Sequence, residues 1–384
     1  MSAWAIRLAA TAVSLVGLLA VAMVPSQAQS LDELHVQAKA EGGLVLYVGG
    51  PTAPWEARAK QFEQRYSGIK VSITGGFSNV LDKQIDQQLK ENKLAVDTAI
   101  FQTLDDFVRW KAEGQLIAFK PNGFDAIDAS FKDGEGAFFG VMVIAMPYQY
   151  NTQLVKSEDV PKSAPDFLKP IFRGKVVAAY PADDDATLYL YYTIVQKYGW
   201  EYMDKYMANR PNFIQGHLSV QRSISSGQNL VTPDSIFSIT EAEKRAGKPV
   251  DSYFSTIDPT PIWPLTGAVF KNAPRPNAGK LFLSWLLEKD QQANVGTWSV
   301  RSDVPPPTGY KPIFSYPVVN DYRSFLTKRE ADQRSAQAIR GLYRASRQYR
   351  RCPLERVSRR QGRSVHTKRS LFSRPNIVAP QLVP

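Results

Sequence analysis

Between Leu44 and Gly114 the sequence changes its hydrophobic period again and again, and this alternation confines the chain to one class of fold. Leu44-Val45-Leu46-Tyr47-Val48 is a short apolar run closed by Gly49-Gly50-Pro51, the pattern of a buried strand. Trp55, Ala59, Phe62 and Tyr66 follow at helical spacing, and Ser67-Gly68 stops that helix. Residues 69–73 alternate as a half-buried strand, and after Gly75-Gly76 a helix carries Leu81, Ile85 and Leu89 along one face. Residues 97–101 form a third strand, before a helix with Phe107 and Trp110 that ends at Gly114. A β-α-β-α-β order predicts a parallel sheet covered on both faces.

The pattern returns later. Residues 175–180 read as a strand closed by Pro181, and Asp183-Asp184-Asp185 can cap a helix running to Tyr198 with Leu188, Tyr191, Tyr192 and Val195 along it. A helical 219–226, short strands at Leu230-Val231 and 268–270, and a helix over 277–288 with a wide apolar face complete it. A body of about 315 residues exceeds what one core usually serves, so two α/β lobes are expected.

The first 28 residues say where this body works. Arg7 is their only charge; an apolar run over 8–24 follows, then Pro25 and Ser26-Gln27-Ala28, small residues at the positions a signal peptidase reads. The alternative is a membrane anchor, but Thr11, Ser14 and Gly17 dilute the run and Pro25 ends it. The expectation is a cleaved signal, a mature start near Gln29 and a periplasmic location. No cysteine follows the cleavage site, which argues against a lipid anchor.

The formal charge of +11 suggests nucleic acid, but it is unevenly placed. Residues 344–384 hold eleven Arg or Lys against one acid, Glu355; setting these and Arg7 aside leaves thirty-five bases and thirty-five acids over 29–343. A nucleic-acid binder needs its basic surface on the folded domain, so none is expected as a partner. The only cysteine, Cys352, lies in the tail, and His35, His217 and His366 stand in no metal spacing and read as ordinary histidines. No G-x-S-x-G elbow seats a serine, which argues against a hydrolase. Neither a cofactor nor a bound metal is expected.

Several motifs together resemble a known family. Glu41-Gly42-Gly43-Leu44-Val45-Leu46-Tyr47, and Phe62-Glu63-Gln64-Arg65-Tyr66 followed by Gly68-Ile69-Lys70-Val71, are similar to the opening of extracellular solute-binding proteins of ABC importers. Tyr150-Asn151-Thr152 resembles the first crossing between that family's lobes. Ala164-Pro165-Asp166-Phe167-Leu168 with Phe172-Arg173-Gly174-Lys175-Val176 resembles the entry to its second lobe. The run from Lys271-Asn272-Ala273-Pro274 to Gly279-Lys280, with Gln291-Gln292, is similar to its returning helix. The nearest branch is the periplasmic iron(III)-binding group and its relatives for phosphonates and other small anions.

The resemblance implies a type II-like two-lobed fold with parallel-type sheets and a hinge of crossing strands. It places residues 29–147 and 265–343 in the first lobe and 148–264 in the second. It also implies a monomer, a small-molecule ligand and permease subunits as partners, and no enzymatic activity. Ligand sits between lobes that close on it, at the carboxyl ends of the strands.

Strand-to-helix loops should line that cleft. Gly50 and Thr52 follow the first strand and form either a tight turn or an anion-binding helix entry. Ser78 or Asn79 is expected to cap the second helix, and Gln102 and Thr103 follow the third strand; a cap beside a cleft can also donate to ligand. In the second lobe Asp184, Asp185 and Thr187 open a helix, where the aspartates serve as caps or face a cationic group. Tyr148 and Tyr150 at the crossing either pack or offer phenols, and Asp234 and Ser235 follow the strand at Leu230-Val231. The resembling ferric binders carry two adjacent tyrosines at that point, where this chain has Thr232-Pro233-Asp234-Ser235. A small organic anion is therefore expected as ligand, with ferric iron as the alternative and a secreted enzyme on a similar fold as the other class. A last amphipathic helix with Tyr322, Phe325, Leu326, Ile339, Leu342 and Tyr343 is expected to dock on the first lobe. Beyond it, 344–384 read either as a disordered extension or as a basic arm for anionic lipid or nucleic acid.

Overall fold

A computed structural model describes residues 29–181 and 185–325. The leader, Asp183 and Asp184, and everything from Leu326 on, including Ile339, Leu342 and Tyr343 of the expected last helix and the basic tail, lie outside the described residues. The chain opens with α1 (Leu31–Glu41), β1 (Gly43–Gly49), α2 (Ala53–Arg65), β2 (Lys70–Gly76), α3 (Ser78–Lys90), β3 (Thr98–Phe101) and α4 (Leu104–Ala112). The alternation read from the sequence is thus realised element by element. It continues through β4 (Phe139–Ala145), β5 (Tyr148–Asn151), β6 (Val177–Ala179), α5 (Asp185–Ala208), β7 (Asn212–Ile214), α6 (His217–Ser225) and β8 (Val231–Thr232). The last elements are α7 (Phe237–Arg245), β9 (Val250–Tyr253), β10 (Thr260–Val269), α8 (Pro276–Leu286), α9 (Lys289–Ala293) and β11 (Val318–Val319).

Two sheets form. In the first, β2, β1 and β3 are parallel neighbours, β10 runs antiparallel beside β3 and β4, and β11 adds to the start of β10. In the second, β8, β5 and β9 pair, β6 and β7 pair in parallel, and a Val176–Val231 bridge joins the two groups. The chain crosses between the sheets at 145–148 and at 253–260. β10 is longer than the three residues its sequence advertises, because Pro261 and Pro264 argue against a central strand. It tolerates them with a register shift at Leu265/Thr266.

α1, α2 and α8 cover one face of the first sheet, where Leu44, Leu46, Phe62, Phe282 and Trp285 are buried. α3 and α4 cover the other, over Phe101, Phe107 and Trp110, and this core runs on into the second sheet through residues such as Phe167, Val176 and Tyr189. Two of the motifs that carry the family resemblance meet in space. The Glu41 carboxylate accepts N–H groups of Asn277 and Ala278, capping α8 from the end of α1. The aromatic end of the described chain differs from expectation. Tyr322 and Phe325 pack on Tyr189 and Tyr192 of α5 as well as on Trp263 of β10, so they touch α5 and not the first sheet alone.

Candidate functional site at the facing strand ends

Three parallel strands of the first sheet end side by side, and their turns converge. Gly50 takes a φ of 94°, a region costly for other residues, and donates its N–H to the Gly76 carbonyl at 2.7 Å. Gly75 is so crowded that a Cβ there would lie 2.7 Å from Thr52 Cγ2 and 2.8 Å from the Gly50 carbonyl oxygen. Thr52 is the N-cap of α2, but its hydroxyl donates to Glu56 at 2.6 Å and caps nothing.

Over Gly49 sit two polar side chains. A Cβ at Gly49 would lie 2.5 Å from Ser78 Oγ and 3.2 Å from Gln102 Oε1. The cap of α3 is Phe77, not Ser78 or Asn79, so Ser78 falls inside the first turn. There it is 4 % exposed, and its hydroxyl has no hydrogen-bond partner. A buried hydroxyl left unpaired at the N-terminus of a 13-residue helix is where an oxyanion would supply the missing bond. Asn79 beside it is half-buried, and Thr103 is the N-cap of α4 with no side-chain cap bond. One turn into α4, burial first and Asp105 second push the Asp106 carboxyl up to about 7.

The second sheet is built differently at the matching level. Asp234, fully buried just past β8, accepts the N–H of Ala179 at the end of β6 at 2.6 Å. It also accepts the Thr187 hydroxyl at 3.1 Å and pairs with His217 Nε2 at 2.9 Å, while its own N–H donates to Thr232 Oγ1. Thr187 lies in the first turn of α5, which Asp185 opens, and His217 is the first residue of α6. Ser235 donates to the carbonyl of Pro147 and ties this loop to the first crossing.

The two groups face each other. Gly216, the N-cap of α6 with a φ of 76°, comes so close to Phe77 that a Cβ there would lie 3.8 Å from the ring. The N-termini of α3 and α6 therefore come close to one another, and each group can serve as one wall of a cleft between them. Gly50, Thr52, Ser78, Asn79, Gln102 and Thr103 are gathered on the first wall, and Thr187 and Asp234 on the second.

The crossing tyrosines go elsewhere. Tyr148 donates to Asp258 at 2.7 Å and packs edge-on to Phe167; burial and that carboxylate push its phenol well above the ordinary value. Burial opposes the Asp258 charge, but Lys197, Tyr198, Tyr148 and the Ala164 N–H outweigh it and hold the carboxyl below its usual range. A cavity of about 20 Å³ beside this group lies behind the hinge, away from the strand ends. Tyr150 is half-buried next to Asp251, with its phenol raised by burial and by that acid. Sequence reasoning missed His217, Phe77 and Gly216. The signal was the strand-to-helix rule applied to β7, whose three residues are too short to register as a strand.

The sequence profile of bacterial extracellular solute-binding proteins matches residues 57–321. The chain belongs to that family. This binding protein is thus of the ABC-importer type: it acts outside the cytoplasm on a small-molecule ligand, with permease subunits as partners, and it is not an enzyme. No curated protein matches its sequence. Its fold is similar to that of the periplasmic binding protein P5PA, at 17 % identity and a TM-score of 0.65 over 77 % of this chain and 98 % of that one. It is also similar to AfuA of Actinobacillus pleuropneumoniae with fructose-6-phosphate bound, at 20 % identity and a TM-score of 0.63 over 75 % and 98 % of the two chains. Iron-bound HitA of Pseudomonas aeruginosa is a third, at 19 % and 0.63 over 79 % and 99 %. At these identities the likeness shows the two-lobed fold alone. Among the described residues no helix is long and apolar enough to cross a membrane.

Proposed function

We propose that this protein captures a small organic anion, a phosphate, phosphonate or carboxylate, between the two strand-end walls and presents it to its permease. The observation that carries the reading is the buried, unpartnered Ser78 hydroxyl over Gly49 at the start of α3. Gln102 stands beside it, and the His217–Asp234 pair stands on the opposite wall. The anion's oxygens complete the first wall, and His217 with Thr187 meets the rest of the solute. The protein is exported by the signal over residues 1–28, begins near Gln29, and acts as a monomer. Its second lobe comprises residues 148–259, since β10 from Thr260 onward lies in the first sheet, and its first lobe comprises the described residues before and after these.

Ferric iron is disfavoured by the donor set. Thr232 to Ser235 offer no phenolate, and Tyr148 is bonded to Asp258. Among the described residues no three His, Cys, Asp or Glu side chains converge to hold a metal. AfuA with its sugar phosphate and HitA with its iron are equally similar in fold and do not decide between the ligands.

Thermal unfolding with inorganic phosphate, fructose 6-phosphate, an aminoalkylphosphonate, citrate and ferric citrate tests this directly. A bound solute at a hundred times its dissociation constant adds about 2.7 kcal/mol to stability. The expected result is such a shift from an organic anion and none beyond citrate's own from ferric citrate. A visible charge-transfer band on adding iron, lost in Tyr148→Phe or Tyr150→Phe, overturns it.

A further inference from the structure

Two covalent crossings and a shared core join the sheets, and the end of the described chain adds side-chain contacts of its own. β11 pairs with Thr260 and Pro261, where β10 has just entered the first sheet. From there six residues reach both ways. Toward the first sheet, Asn320 donates to Ser130, and the Arg323 guanidinium donates to the Lys132 carbonyl at 3.1 Å and lies 5.5 Å over the Phe138 ring. The Tyr322 ring, 1 % exposed, sits 5.4 Å from Trp263 of β10. Toward the second sheet, Asp321 accepts the Tyr189 hydroxyl of α5 at 2.5 Å. The Phe325 ring lies tilted 5.3 Å from Tyr189 and 4.8 Å from Tyr192 of the same helix.

A backbone crossing tolerates rotation of one lobe against the other, because its torsions absorb the change. Side-chain contacts of this kind do not: ring distances near 5 Å and a short hydrogen bond are met at one relative orientation. The helix they hold is the one that carries Thr187, two residues before Tyr189, into the cleft wall. Neither Tyr189 nor any of the six belongs to that wall.

We infer that residues 320–325 form a clasp that fastens α5 to the first lobe and sets, from outside the cleft, how much of the ligand-free protein is closed. The clasp rests on the reading of the protein as a two-lobe clamp but not on the nature of the solute, so its test uses no ligand. Because the bound solute sees only the closed population, the clasp also tunes affinity for whatever the cleft holds.

Spin labels at Lys60→Cys and Lys248→Cys, in a full chain with Cys352→Ser, report the distance between an exposed position on each lobe by pulsed electron resonance. The unaltered clasp should give one dominant distance. Tyr189→Phe, which removes a single hydroxyl and keeps the ring, should raise the open fraction about two- to tenfold, the effect of one lost hydrogen bond. Phe325→Ala should raise it further. A distance distribution unchanged in both variants overturns the clasp, even if their melting temperatures fall, because lowered stability alone is what mere packing would give. If Phe325→Ala does not fold, Tyr189→Phe decides by itself. An organic-anion panel that fails to bind would leave this result standing and sink only the ligand reading.

Discussion

The two walls stand at strand ends in sheets of different build, and they are finished in opposite ways. On the second wall the buried Asp234 charge is bonded to Ala179, Thr187 and His217. On the first wall Ser78 carries no charge and its buried hydroxyl makes no bond. A wall whose polar groups are satisfied within the protein holds its shape without ligand. A wall with an unmade bond gains from ligand what the fold withheld. The difference suggests a division of labour, in which the second wall is a preformed floor and the first supplies the bonds that reward closure.

The largest effect that can break this comparison is at Asp234. Replacing it with alanine takes the acceptor from the Ala179 N–H, the Thr187 hydroxyl and His217 at once, and each buried group left unpaired costs about 1–3 kcal/mol. Urea unfolding of Asp234→Ala should show a loss of that size. A loss under about 1 kcal/mol would mean the network is not the scaffold of the second wall.

Next is Gly49. The added Cβ of Gly49→Ala meets Ser78 Oγ at 2.5 Å and Gln102 Oε1 at 3.2 Å, so one or both must move. Overpacking of this kind costs about 1–3 kcal/mol. It also fills the space where a ligand oxygen would sit, so binding of any active anion should disappear. Unchanged binding in a folded Gly49→Ala protein would place the ligand elsewhere. Ser78→Ala sharpens the contrast with Asp234. Its stability should stay within about 0.5 kcal/mol of the parent, because an unsatisfied hydroxyl is removed and no bond is lost. Its affinity for the anion should fall about tenfold, the worth of a bond to a charged group. Titration calorimetry reads the affinity, and a clear loss of stability with full affinity would reverse the roles given to the walls.

How far the sequence announced these walls also differs between them. In the first lobe the periodic runs at 44–48, 69–73 and 97–101 were long enough to show as strands, and the loops after them named Gly50, Ser78 and Gln102 directly. In the second lobe the strand at Leu230-Val231 was legible and pointed to Asp234, but β7 spans three residues, below the length at which periodicity speaks. His217 could not be told from any other histidine, because what distinguishes it is Asp234, seventeen residues away and brought close only by the sheet. The cap of α3 lies one or two residues before the expected Ser78 or Asn79 for a related reason. Serine is a better cap than phenylalanine by propensity, but the strand ends at Gly76 and the helix starts at once, leaving Phe77 in the cap position. β10 was hidden by its two prolines, and its length was legible only once its partners were known.

The smallest effect concerns charge on the first wall. Asp106 is 6 % exposed in the first turn of α4, where a helix N-terminus ordinarily favours a carboxylate. Burial and the neighbouring Asp105 overrule that preference and raise its folded pKa to about 7, although Arg109 donates to it at 3.1 Å. In the unfolded chain an aspartate titrates near 4, at about 3.9. Below that value both states are protonated, and the group does not disfavour folding. As pH rises from there to about 7 the unfolded state sheds its proton while the folded state keeps it, so stability falls, and above 7 the loss levels off. Asp106→Asn removes this titration and leaves the others in place. The variant's advantage over the parent should therefore grow by about 1 kcal/mol from pH 6 to pH 8, and it should shrink steadily toward pH 4. Unfolding free energies of the two proteins at four pH values measure the difference. Parallel curves would mean that Asp106 is already ionised at neutral pH, and that the first wall is no less charged than the second.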